Sequence, residues 1–232
     1  MPLSGVRVLD ASSGVAGPLA AMLLADFGAE VVKVEPPGGD PGRGEPGFAV
    51  WNRNKRSVVL DTATEAGRAR LSGLLAGADV CVCGAVPPDA AGTPLDPAAV
   101  SAANPALVYL STPPYTGAGT PWAGGEESNG LLAALTGVAL RQSSFDGGPI
   151  DCVYPFLPCL QGIWAAAAAV AALLERERSG RGQVVTVGGV HGMMVASPGV
   201  LVIDPAQPGR PAAVGPGGPN PCYRPYRCGD GR

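Results

Sequence analysis

Few residues in this chain are placed to do chemistry. Gly14-Val15-Ala16-Gly17 follows an apolar run that ends in Asp10 and leads into a second apolar run from Pro18. Its backbone amides therefore fall where a strand turns into a helix, a place that can receive phosphate. The word is neither the Gly-x-Gly-x-x-Gly fingerprint nor a P-loop ending in Lys-Ser/Thr. Spacing alone leaves a plain tight turn and a ligand loop equally open. Asn52-Arg53-Asn54-Lys55-Arg56-Ser57 packs three cations among amides, readable as a solvated edge or as a contact with a phosphorylated ligand or neighbouring subunit. Glu126 and Glu127 are adjacent, so they do not face one another across a site, and they read as a solvated loop. Asp151 lies in a loop before an Ala-rich helix, and spacing does not fix its role. His191, the single histidine, reads as a surface or internally satisfied residue.

Six cysteines, Cys81, Cys83, Cys152, Cys159, Cys222 and Cys228, have no pair with zinc-knuckle spacing and one histidine to help them. They read as structural or incidental thiols, and no metal is expected. The net charge of -3 gives no electrostatic reason to expect nucleic acid as a partner. Apolar residues make up 46% and charged residues 15%, enough for a substantial core. The N-terminus opens directly into a strand rather than a secretory signal. The Ala-rich run 163–174 is too short, and too soon followed by Glu175 and Arg176, to span a bilayer. No membrane partner and a cytoplasmic location follow as expectations.

The elements that must position these residues alternate. Strands are predicted at 6–9, 30–34, 58–60, 80–83, 107–111 and 183–187. Helices are predicted at 18–27, 65–75 with Thr64 as cap, 98–103, 128–135 and 160–178, the last stopped by Gly180 and Gly182. This alternation indicates an α/β fold with a mainly parallel sheet, whose ligands bind outside the carboxyl ends of the strands. Residues 36–47 and 205–225 are rich in Pro and Gly, and the second stretch reads as a linker. The last residues resemble a hairpin turn cut before its second strand.

Several words, in this order, resemble the class III (family III) CoA-transferases, a group that includes formyl-CoA and carnitine CoA-transferases and methylacyl-CoA racemases. They are Leu3-Ser-Gly-Val-Arg-Val-Leu-Asp10, Ala16-Gly-Pro18, Leu24-Ala-Asp-Phe-Gly-Ala-Glu30, Val32-Lys-Val-Glu-Pro-Pro37 and Asn52-Arg-Asn-Lys-Arg-Ser57. Further on stand Asn104-Pro105, Leu135-Thr-Gly137 and Glu175-Arg-Glu-Arg-Ser-Gly-Arg-Gly-Gln183. The resemblance implies a Rossmann-like large domain over residues 1–198. Residues 199–232 would be a linker toward a small domain that this chain lacks. It implies transfer of CoA between an acyl-CoA and a carboxylic acid through an enzyme-bound acyl and CoA intermediate, with CoA as substrate and no tightly bound cofactor. It also implies a homodimer, or pairing with a companion half.

By position, Gly14, Val15, Ala16, Leu60, Thr62 and Gly84 would line the CoA site, mostly through backbone. Val15 stands where some members carry an acid-recognising Gln, and suits a fatty or aromatic acyl group. The nucleophilic Asp of the family falls on Pro158, which has no nucleophile. Asp151 is the acid a loop shift would bring in, and Cys159 is a neighbour with nothing nearby in sequence to lower its pKa. Two alternatives follow: a non-catalytic half or subunit, and a racemase-like isomerase. The racemase His-Asp word falls at Ser128-Asn129, neither of which takes a proton from carbon at neutral pH. A nicotinamide enzyme is disfavoured by the missing glycine fingerprint.

Overall fold

A computed structural model describes residues 1–84, 93–116, 121–122, 125, 127–139, 148–196, 226 and 228–230. Six strands are present in these residues: β1 (Arg7–Ala11), β2 (Glu30–Glu35), β3 (Lys55–Val59), β4 (Val80–Cys83), β5 (Val108–Ser111) and β6 (Val184–Thr186). They form one sheet in the order β3-β2-β1-β4-β5-β6, and every pairing is parallel. Parallel neighbours need crossover connections, which cover both faces of the sheet. Period-two alternation shows this directly. Val8, Val80, Val82, Val108 and Leu110 point into one cluster, with Ala20, Ala21 and Leu24 of α1 (Ala16–Asp26) and Ala165, Ala169 and Leu173 of α6 (Phe156–Ser179). Leu9, Cys81, Cys83 and Tyr109 point the other way, toward Leu71 and Leu75 of α3 (Glu65–Ala76) and Val100 of α4 (Pro97–Ala103).

Local chemistry explains most boundaries. Thr64 accepts a hydrogen bond from the Gly67 amide and caps α3 as expected. Gly180 ends α6 with φ +70, the left-handed conformation that suits glycine. Helix α6 starts earlier than the predicted 160, and Pro158 sits in its first turn. A proline is tolerated there because the amides of the first turn have no partner within the helix. Strand β3 begins at Lys55 rather than at 58, because the basic word itself pairs with β2. The connection 36–47 holds a 3₁₀ turn (Pro41–Gly44) and the short helix α2 (Phe48–Trp51) follows it.

Two further helices complete the described residues. Helix α5 (Asn129–Leu135) is capped by Ser128, whose hydroxyl accepts from the Leu131 amide. Helix α7 (Gly189–Ala196) was not expected from the sequence. With α5 and α6 it builds a third cluster from Tyr115, Leu132, Ala133, Leu157 and Met193. Helix α6 is long and apolar enough to cross a membrane by length and composition, correcting the estimate of its run as too short. Its apolar window is 56% buried, however, and it packs against α1 and α7 as a core helix does. The domain boundary at 198 and the linker expected over 199–232 fall almost wholly outside the described residues.

Candidate functional site

The connection from β1 runs through α1 to β2 on one side, and the chain later returns through α3 to β4 on the other. The sheet therefore reverses direction between β1 and β4, where open parallel sheets leave a crevice. The loop between β1 and α1 lies at that edge. Gly14 turns it with φ +75. A cavity of about 930 Å³ opens beside the loop. Gly14, Val15, Leu19 and Met22 form one wall. Gly42, Glu45, Pro46, Gly47, Val50, Trp51 and Arg53 contribute a second, and Asn129, Glu127, Val153, Tyr154, Pro155 and Pro158 a third. The walls are mainly apolar.

A buried ionic network fixes the base of this loop. Asp10 is fully buried at the end of β1. One of its oxygens accepts from the Ser12 amide at 3.0 Å and from the Ser12 hydroxyl, and the other accepts from Lys55 Nζ at 2.7 Å. Lys55 Nζ also donates to the Pro18 carbonyl at 2.8 Å and to Asn52 Oδ1 at 2.9 Å. Lys33 Nζ donates to the Ser12 carbonyl and pairs with Asp40, both at 2.7 Å. Burial alone would raise the Asp10 pKa. The charges of Lys55 and Lys33, with hydrogen bonds from Lys55 and Ser12, outweigh it and hold the group below the usual aspartate value. Glu35 receives the Arg43 guanidinium in a bidentate pair at 2.8 and 2.7 Å, which ties down the connection that supplies the second wall.

These contacts give the cations of the basic word partners within the chain. Lys55 is inside the network, Arg53 pairs with Asp26, and Arg56 reaches Glu30 at 3.3 Å. All three cations have carboxylate partners within the chain.

Glu127 is the residue that sequence reasoning misplaced. It leaves the solvated loop expected of it and reaches the first loop, where Oε1 accepts from the Val15 amide at 3.0 Å and Oε2 from the Ala16 amide at 3.4 Å. Helix α1 has no side-chain cap from its own N-cap residue, so a carboxylate more than a hundred residues away faces its first amides. The helix dipole favours an anion there. Burial nonetheless pushes the Glu127 pKa up, against the two amide hydrogen bonds that lower it. No local pattern signals this contact, because it depends on how the connection after β5 folds back over β1. Glu126 lies outside the described residues.

The other expected residues are dispersed. Gly14 and Val15 line the cavity, while Ala16 is buried and presents its amide to Glu127. Leu60 is buried just after β3, Thr62 is exposed, and Gly84 follows β4. These three share the carboxyl edge of the sheet but do not line the cavity. Pro158 lines the cavity; Asp151 does not. Asp151 is exposed and accepts from Asn129 Nδ2 at 3.2 Å. Cys159 is buried and donates toward the Tyr154 hydroxyl at 3.5 Å, and burial pushes its thiol up. His191 lies exposed on α7, and its Nδ1 accepts from the Gly188 amide at 3.1 Å. Among the described residues no group of three His, Cys, Asp or Glu could hold a metal ion.

Comparison with known proteins gives a consistent result. The family model described as CoA-transferase family III matches residues 3–232. The "Probable fatty acyl-CoA transferase Rv3272" of Mycobacterium tuberculosis is 36% identical over 197 residues, covering 80% of this chain and 50% of that protein. The succinyl-CoA–D-citramalate CoA-transferase of Chloroflexus aurantiacus is 36% identical over 209 residues, covering 83% and 50%. A crystal structure of Rv3272 superposes with a TM-score of 0.79 at 34% identity, covering 85% of this chain and 57% of that one. The chain thus spans about half the length of the curated relatives it matches.

Proposed function

The chain belongs to CoA-transferase family III, and from that premise we propose that it binds an acyl-CoA against the Gly14-Val15 loop and takes part in moving CoA to a carboxylic acid. The observation that carries this reading is the cavity of about 930 Å³ at the switch point of the sheet, opening beside Gly14 and Val15 of the loop that leads into α1. Its size falls within the usual range of small-molecule sites. Leu19, Met22, Val50, Trp51 and Val153 beside Val15 favour a fatty or aromatic acyl group over a small polar one. The transfer would pass through enzyme-bound acyl and CoA intermediates, which preserve the thioester energy and need no resident cofactor. Asp151, the acid that the sequence offers for the covalent step, is exposed, pairs with Asn129 and does not line the cavity.

Calorimetric titration tests the binding. Octanoyl-CoA is expected to bind at least about tenfold more tightly than free CoA, since burying several methylenes adds more than about 1.4 kcal/mol. Equal affinities would remove the acyl pocket from the reading.

Pro158 favours a second reading, in which this chain is a non-catalytic half or subunit and a companion half of different sequence supplies the nucleophile. Pairing is part of either reading. Ile163, Val170 and Leu174 recur on one exposed stripe of α6, as a helix does when a partner covers it. Native mass spectrometry should find a dimer, and a monomer at micromolar concentration would count against it. A cytoplasmic location is also proposed. Fractionation of producing cells checks it.

A further inference from the structure

The geometry points to Glu127 as the acyl-accepting carboxylate of this chain, the group that forms the covalent link to acyl and then to CoA. The inference rests on the acyl-CoA reading above and gives that same cavity its reacting atom. CoA must leave the donor and return to an acceptor without losing its thioester energy to water, so a side chain has to hold the acyl group in between. Pro158 has nothing to offer. Cys159 is kept as a thiol by its buried surroundings, whereas the thiolate is the nucleophile. Two carboxylates line the cavity. Glu45 is exposed at the rim, while Glu127 is fixed by two amides of the loop expected to receive the ligand.

Those amides do more than orient the group. Each oxygen of Glu127 keeps a second lone pair while it accepts one amide. One oxygen can attack a thioester carbonyl while the other remains bound at the start of α1. The same amides face the oxygen that carries negative charge when the carboxyl δ-carbon of Glu127 is itself attacked, the arrangement that stabilises an oxyanion.

The bonds balance without a further reactant. A Glu127 oxygen attacks the acyl carbon, the carbon–sulfur bond breaks, and CoA thiolate leaves behind a glutamyl acyl anhydride. The thiolate attacks the carboxyl δ-carbon of Glu127, the carbon–oxygen bond to the acyl group breaks, and the donor acid departs as a carboxylate. Glu127 now carries CoA as a thioester. The acceptor carboxylate attacks that δ-carbon and expels the thiolate, giving a second anhydride, and the thiolate then attacks the acceptor acyl carbon, breaks its bond to the Glu127 oxygen and restores the Glu127 carboxylate. Electron pairs are exchanged, and no proton, oxidant or metal is consumed.

Incubating the chain with octanoyl-CoA, quenching with hydroxylamine and mapping peptides tests the assignment. A hydroxamate on Glu127 is expected, absent from Glu127→Gln and partly restored in Glu127→Asp, with both variants matching the parent by circular dichroism. A hydroxamate on Asp151 or Glu45 overturns the inference. So does a chain that binds octanoyl-CoA and yields none on Glu127, which leaves the binding reading standing. A chain that binds no acyl-CoA overturns both.

Discussion

Glu127 carries a carboxylate whose surroundings pull in two directions. Two amides and a helix dipole favour its anion, yet burial dominates and raises its pKa above the ordinary 4.5. The folded chain therefore holds this proton more tightly than the unfolded one. Stability contributed by the group falls as pH rises from 4.5 through the raised value, and at neutral pH the ionised side chain is a net cost. Glu127→Gln keeps the shape and an acceptor for one amide. Its urea midpoint at neutral pH is expected to be unchanged or higher, and a clear loss of stability would mark Glu127 as a structural cap instead. Only the ionised form attacks, so the rate of hydroxamate labelling should rise with pH through the raised value and then level off. A group that costs stability yet points into the cavity is the pattern expected of a reacting residue.

Asp10, Lys33 and Lys55 join three neighbouring strands into one unit, β1, β2 and β3, and Asp40 extends it to the wall of the cavity. Asp10→Asn leaves two buried lysines with Asp40 as their remaining charged partner, so a loss of about 3–5 kcal/mol is expected by urea denaturation. The Asp10 contribution is fully present above the ordinary aspartate value of 3.8 and is lost as pH falls through its lower folded value. Elements of this kind were partly legible in the sequence. Val80 to Cys83 reads as a strand because all four residues are apolar and buried on both faces, and Thr64 reads as a cap because a threonine before Glu65 has that local chemistry. Helix α7 was illegible because its opening glycines look like a loop. Gly189 and Gly192 are needed there for close packing on Pro114, Leu132 and the backbone of α6, a tertiary requirement no local window contains. The ionic network was hidden for the same reason: Lys55 meets Asp10 only once β1, β2 and β3 lie side by side in the sheet.

At the scale of the molecule, the strand order places one loop, Ser12 to Val15, at the reversal between β1 and β4, and the cavity forms there. The parallel sense follows from the alternation of strands and helices read in the sequence, while the order of the strands is supplied by the folded chain. The family words located the loop, and with it Gly14 and Val15, while the third wall of the cavity came from a connection whose path only the folded chain reveals. Central to this account is that acyl-CoA binds at the start of α1. The most direct measurement is a calorimetric titration of octanoyl-CoA into the chain and into Val15→Asp. Aspartate is a favoured N-cap residue, so the variant should fold, but it brings a negative charge to the cavity and to the amides facing it. One saturable site on the parent, weakened at least about tenfold (about 1.4 kcal/mol) in the variant, is the predicted result. Equal affinity for both proteins, or no binding to either, would contradict it.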